Sequence, residues 1–293
     1  MFGYYTAIIF LNIFALIVMQ PCISKSNSLT ASHKRFFRWL FMAIIISAGC
    51  EWLGNLLQGA GSGTRLLHIA VKVTELSVAP SIPFLFSWII EKKEKKFVWC
   101  YLAVCAAAEL LSGMFGFIFY VDENSVYHHA GFYWIYVLSY ILPMIYCIYV
   151  VMRNVKKYQY SGAGFFVMIA AFMITGIAVQ MYDSDIKVDY MTLGIASLLA
   201  YVFTLEMIQQ TDELSELINR RGYENYISHI DEKCAIIFFD MDRFKEINDT
   251  YGHDVGDICI GKTGRAIRKV YAKYGRCFRY GGDEFCVVLD KNL

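Results

Sequence analysis

Residues 279–290, "RYGGDEFCVVLD", read as the end of one strand, a two-glycine turn carrying two carboxylates, and a second strand. Gly281 and Gly282 offer the positive φ and the close backbone approach that a tight turn against a phosphate needs. Alone, such a turn reads first as an ordinary solvated hairpin. Its meaning depends on what faces it. Upstream, "FFDMDRFKEINDTYGHDVGD" at 238–257 places Asp240 and Asp242 at the C-terminal end of a strand over Ile236–Phe239, which its length and β-propensity mark as buried. Ligands of open α/β sheets bind at that end of the strands. Asp240 and a carboxylate of the 281–284 turn make an oxygen donor set for a hard divalent cation. Mg²⁺ takes such ligands and keeps phosphates and water in its shell, which points to nucleotide phosphate chemistry. A helix over about 254–273 joins the two segments, and "QQTDELSELINRRGYENYISHI" at 209–230 reads as one amphipathic helix.

Before residue 209 the chain changes character. Overall, 57% of the 293 residues are hydrophobic, too many for a purely soluble globule, and a net charge of +1 gives no field that would attract nucleic acid. Seven apolar runs long enough to span a bilayer lie at about 3–20, 36–57, 66–90, 97–120, 131–152, 163–182 and 190–208. The N-terminal run has neither a basic leader nor a small-residue cleavage site and reads as a retained span. Basic residues fall on alternate connections: Lys25, Lys34 and Arg35, then the "EKKEKK" turn, then Arg153, Lys156 and Lys157. The positive-inside rule therefore puts the N-terminus outside and the C-terminus in the cytoplasm. The nine cysteines show no metal or redox spacing and read as reduced packing residues.

Polar residues inside spans are costly in lipid. Glu51, Asn55 and Gln58 recur along one face of span two, and His68, Lys72 and Glu75 along span three. Because a short turn joins these spans, Glu51 and Lys72 fall at similar depth, and an ion pair lining an outward-facing pocket for a small outer ligand is expected. Interhelical packing is the equal alternative. Glu109, Gln180 and Asp183 are further members of the set. Pro80, Pro83 and Pro143 are expected to kink spans three and five. His128 and His129, beside Asp122 and Glu123, read as part of a solvated outer loop rather than a metal site.

From Thr211 to Asp290 the chain resembles the GGDEF family of diguanylate cyclases. "DELSELINRR" is similar to the family's D-x-L-T-G-L-x-N-R-R, "DMDRFKEINDTYGHDVGD" to its central motif, and "RYGGDEF" to its signature. The resemblance implies an α/β (α+β, nucleotidyl-cyclase-like) domain at 209–293, following an all-α bundle of seven membrane helices at 1–208. It implies joining of two GTP molecules into cyclic di-GMP with release of pyrophosphate. Asp240, the Met241 carbonyl and Asp283 would hold Mg²⁺ or Mn²⁺. Asn248 and Asp257 would read guanine, Lys245 would contact phosphate, Gly281 and Gly282 would let the chain pass close to it, and Glu284 would act near the attacking hydroxyl. A homodimer through the domain and the last-span helix would bring two sites face to face at the inner membrane. Asp242 as a cap, His253 as a turn former and Arg279 as a hairpin support read as structural.

Two departures from the family pattern stand out. The product-binding R-x-x-D corresponds here to Ala272 and Gly275, so feedback inhibition through that site is not expected. Family domains also continue past the hairpin, whereas this sequence stops at Leu293, so a partial domain is expected. It is either an incomplete copy of a working cyclase or a short protein acting as a non-catalytic receptor or GTP-binding regulator. A transporter is disfavoured, because the spans lack paired, interrupted helices.

Overall fold

The structure is a computed structural model describing residues 2–91, 93–158, 163–182, 187–230 and 233–289. The chain forms two compact units, one built on residues 1–157 and 161–202 and the other on 203–293.

The first unit is helical. Its elements are α1 (Phe2–Lys25), α2 (Ala31–Leu57), α3 (Arg65–Val78), α4 (Ser81–Glu91), α5 (Lys96–Phe115), α6 (Trp134–Tyr158), α7 (Ala163–Tyr182) and α8 (Asp189–Gln209), the last seven residues of α8 being counted with the second unit. Helix α2 is capped by Thr30, whose hydroxyl accepts the His33 N–H at 3.3 Å, satisfying a free helix-end donor. It packs on α1, α3 and α4, and α3 packs on α5. Six segments among the described residues are long and apolar enough to cross a membrane: 3–25, 31–57, 62–91, 96–115, 134–153 and 189–209. The run at 163–182 forms α7, but the expectation that it spans falls partly outside the described residues.

Two spans differ from their expected form. The third is divided at Ala79–Pro80 into α3 and α4, because proline lacks an N–H and clashes with the preceding turn. Pro83 instead sits in the first turn of α4, where no N–H is missed. The fourth ends at Phe115 rather than near 120. Gly116, at φ 72°, closes α5 by donating its N–H to the Ser112 carbonyl, and the Ser112 hydroxyl accepts the N–H groups of Ile118 and Phe119. The chain then turns into an antiparallel hairpin, β1 (Phe119–Val121) and β2 (Tyr127–His129), whose Ile118, Phe119 and Val121 are buried against Leu76.

The second unit holds α9 (Arg220–Ile227), β3 (Ile236–Asp240), α10 (Phe244–Tyr251), α11 (His253–Tyr271), β4 (Gly275–Arg279) and β5 (Glu284–Leu289). The strands form an antiparallel sheet in the order β3-β5-β4. Alternation along β5 divides its side chains between two cores. Phe285 and Val287 pack with Leu217, Ile260, Ile267 and Cys277 on the face covered by α11, while Cys286 and Val288 pack with Ile218, Phe278, Tyr223 and Tyr226 on the face covered by α9. Burial of each large apolar side chain contributes roughly 1.5–3 kcal/mol.

Two of the expected elements differ in this unit. Residues 209–230 are not one helix: α8 stops at Gln209, and α9 starts only at Arg220. Between them, Leu217 enters one core and Ile218 the other, an alternation that requires extended chain. Ile218 donates its N–H to the Cys277 carbonyl and accepts the Arg279 N–H at 2.8 Å, so this stretch lies alongside β4. Nor is β3 a buried strand. Among the described residues it pairs with β5 alone, at the sheet edge, and Phe238 is 59% exposed.

Candidate functional site

The antiparallel register brings the two acidic motifs together. Asp240, the last residue of β3, lies directly opposite Glu284, the first of β5. One step on, the Met241 N–H donates to the Asp283 carbonyl at 3.2 Å. The turn between the strands is closed by the Glu284 carbonyl, which accepts N–H groups from Tyr280 and Gly281. Gly281 and Gly282 do not have the positive φ expected of them. They provide room instead: a Cβ on Gly281 would lie 2.6 Å from Glu284 Oε2, whereas one on Gly282 would meet nothing within 4 Å.

Arg279 supports this turn. It donates to the Gly281 and Gly282 carbonyls and, through Nη1, to both carboxylate oxygens of Asp212 at 3.0 and 2.9 Å. Burial opposes ionisation of Asp212. Hydrogen bonds from the Ser215 hydroxyl and N–H, with the Arg279 guanidinium, outweigh it and hold the carboxyl below its usual range. The helical spacing of 209–230 gives no sign that Asp212 and Ser215 support the site, because that role depends on the non-helical chain between α8 and α9. Asp242 is not a cap, since Arg243 occupies the N-cap of α10 at φ 51° with no side-chain cap bond. His253 begins α11 directly after Gly252, whose φ of 84° suits glycine.

A second group lies where α10 packs on α11. Asn248 Oδ1 is buried and without a hydrogen-bond partner. Gly256 sits against it, and a Cβ there would collide with that oxygen. Asp257 follows Gly256 on α11 and is exposed, as is Lys245, which stands three residues before Asn248 and therefore on the same side of α10. An unsatisfied buried amide oxygen is costly, and a ligand N–H is the group that would complete it.

The donor set at the sheet end consists of oxygens: the carboxylates of Asp240 and Asp283 and the Met241 carbonyl. That carbonyl accepts the Phe244 N–H at 3.3 Å and has a second lone pair. Among the described residues no three His, Cys, Asp or Glu side chains form a metal cage. Two carboxylates and a carbonyl fit the pattern of Mg²⁺, which completes its shell with substrate phosphate and water.

In the helical unit the polar residues pair differently from expectation. Lys72 does not bind Glu51. It forms an ion pair with Glu75 at 2.8 Å, three residues along the same helix. Glu51 instead accepts the Tyr5 hydroxyl at 2.6 Å, because α1 packs on that face of α2. Asn55 donates to the Tyr5 hydroxyl and accepts from Lys187. His68 Nδ1 meets the Ser125 carbonyl at 2.9 Å, leaving Nε2 buried without a partner. Tyr5, Ser125 and Lys187 carried no signal in the sequence. Glu109 is buried with one oxygen unpartnered, while Asp183 and the Gln180 side chain lie outside the described residues. In the hairpin, Asp122 pairs with His128 at 3.2 Å, and the Val126 N–H, with His128 and the Asn124 N–H, holds its carboxyl below the usual range.

The family match falls in the second unit. Residues 209–292 match the family described as "Diguanylate cyclase, GGDEF domain". The chain is 39% identical over 85 residues to the diguanylate cyclase DosC of Escherichia coli K12, covering 27% of this chain and 18% of that protein. It is 32% identical over 123 residues to the diguanylate cyclase DgcP of the same organism, covering 40% and 34%. It is 37% identical over 95 residues to the cyclic di-GMP phosphodiesterase NbdA of Pseudomonas aeruginosa, covering 30% and 12%. The matches thus span about a third or less of these relatives. A solved structure, the diguanylate cyclase SiaD with its activator SiaC from Pseudomonas aeruginosa, is similar at a TM-score of 0.29 and 23% identity over 53% of this chain and 61% of that one, too loose a likeness to bear on the fold.

Proposed function

We propose, starting from a C-terminal segment that is a GGDEF domain, that the chain is a membrane-bound signalling protein whose chemistry is synthesis of cyclic di-GMP from two GTP molecules. The observation that carries the reading is the pairing of Asp240 with Glu284, beside the contact of Met241 with Asp283 and the open space at Gly282. Acidic residues more than forty positions apart in sequence meet next to a turn that leaves room for a phosphate.

Asp240, Asp283 and the Met241 carbonyl are assigned to a Mg²⁺ or Mn²⁺ ion, which when bound would orient the triphosphate and offset charge at the reacting phosphorus. Lys245 is assigned to phosphate, and Asn248 with Asp257 to the guanine edge, whose acceptors and donors they complement. Glu284 is placed near the attacking hydroxyl. Product formation needs two such sites face to face, so the active form is a homodimer. Residues 1–208 form the inner-membrane sensor region with the N-terminus outside, and an outer ligand acting on the Glu51, Asn55, His68, Lys72 and Glu75 set is its input.

The test is turnover of GTP by the purified full chain with Mg²⁺, followed by chromatography. Cyclic di-GMP should form, and Asp283→Ala should abolish it. Synthesis unaffected by Asp283→Ala would refute the metal assignment, and GTP binding without product would favour a GTP-binding regulator.

A further inference from the structure

The helical unit carries a groove that the signalling chemistry does not use. Its volume is about 280 Å³, and its walls include Trp39 and Ile46 of α2, Val78 of α3, Trp88 of α4, and Trp99 and Leu102 of α5. From Trp39 to Ile46 the slot follows α2 for two turns, roughly 10 Å at 1.5 Å per residue. The three tryptophans pack on one another at one end, with ring centroids 5.6 to 6.4 Å apart.

That end adjoins the polar boundary of the bundle. Trp88 precedes Glu91 by three residues, and Glu91 is bound by Lys95 at 3.0 Å and by Arg153 at 2.5 Å. Trp39 follows Arg35 by one turn, and the Arg35 guanidinium lies 5.4 Å over the Trp39 ring. Tryptophan at this depth belongs to the bilayer interface, where phospholipid esters and phosphates lie. Trp88 Nε1 is buried and has no hydrogen-bond partner. The cation at this end is Arg35: Lys95 is taken up by Glu91, whereas Glu94, the partner of Arg35, is 3.4 Å away on an exposed pair that water and salt weaken.

We infer that this groove is a site for one anionic phospholipid, its acyl chain along the Trp39–Ile46 slot and its phosphate at Arg35. An apolar slot opening at interface depth beside a cation complements a molecule with a hydrocarbon tail and a negative head, and a zwitterionic lipid matches only the first part. The inference rests on the membrane reading of this unit and is independent of the cyclase chemistry.

The experiment uses the full chain in detergent micelles, exposed to equimolar dioleoyl phosphatidylglycerol and dioleoyl phosphatidylethanolamine, with bound lipid read by native mass spectrometry. Phosphatidylglycerol should be retained by roughly fivefold over phosphatidylethanolamine, the factor expected of one cation against an anionic lipid. Arg35→Gln should bring the two near equality. Ile46→Trp, which fills the slot from a partly exposed position, should lose both, and Leu142→Trp, on the exposed face of α6, should lose neither. Helix content by circular dichroism controls for folding. Equal retention of both lipids, or the same result from the Ile46 and Leu142 variants, overturns the site. Recovery of the chain in the aqueous phase without detergent would overturn the membrane reading as well, so the two failures are distinguishable.

Discussion

Arg279 ties the acidic turn to Asp212, sixty-seven residues away in sequence, with both side chains largely buried. Removing one partner strands the other, so Arg279→Ala should destabilise the second unit by about 1–3 kcal/mol in denaturant titration. Because the folded-state value of Asp212 lies below its ordinary 3.8, its contribution is fully present above 3.8 and is lost as pH falls through the folded value. Acid unfolding of Arg279→Ala should therefore show a weaker dependence on pH below 3.8 than the wild type. Cys277 and Cys286 give a second test at this scale. Burial pushes both thiols up to about 12, so iodoacetamide at mildly alkaline pH should modify exposed Cys234 and leave these two intact until unfolding. Residue type was readable from sequence for Asp240, Asp283 and Glu284, since carboxylates beside a glycine turn suggest phosphate and metal. The use of the glycines was not: backbone angle depends on the closed turn, and the room at Gly282 depends on what surrounds it.

At the scale of elements, β5 carries the C-terminal unit. Val287→Ala should cost about 2–3 kcal/mol, lost methyl burial plus cavity, because Val287 is wholly buried between β3 and β4. Phe238→Thr on the edge strand should stay within about 1 kcal/mol, as its ring is more than half exposed. Equal effects in thermal or denaturant unfolding would contradict the sheet order. The hairpin of β4 and β5 and the helix α11 were legible because their signals are local: turn glycines, β-branched runs and a 3.6-residue period. The stretch 211–219 was not. Its leucine spacing suits a helix, but Leu217 and Ile218 are claimed by opposite faces of a sheet whose β4 and β5 come about sixty residues later. Similarly, α5 stops at Phe115 because Ser112 captures the N–H groups of Ile118 and Phe119, an event that hydropathy does not register.

At the scale of the molecule, the apolar helices predict extraction from a membrane fraction only by detergent, and the proposed orientation, with the C-terminal unit in the cytoplasm, has its own test. An impermeant maleimide on intact cells should label a cysteine introduced at Glu123 and spare Cys234; the opposite pattern would reverse the orientation. Hydropathy reports composition, so six of the long apolar runs were readable as candidate spans, whereas partner choice among their polar groups was not. Lys72 pairs with Glu75 one turn along its own helix, while Glu51 is taken by the Tyr5 hydroxyl from α1. The central claim is that Asp240 and Asp283 act as one site for a metal-bound nucleotide. It is tested most directly by GTP affinity of the full chain with Mg²⁺ and with EDTA, for wild type, Asp240→Asn, Asp283→Asn and the double variant. Affinity should fall at least about tenfold in EDTA and in each single variant, with the double variant no worse than either, as groups sharing one ion are not additive. Additive losses, or affinity unchanged by EDTA and by both substitutions, would contradict it.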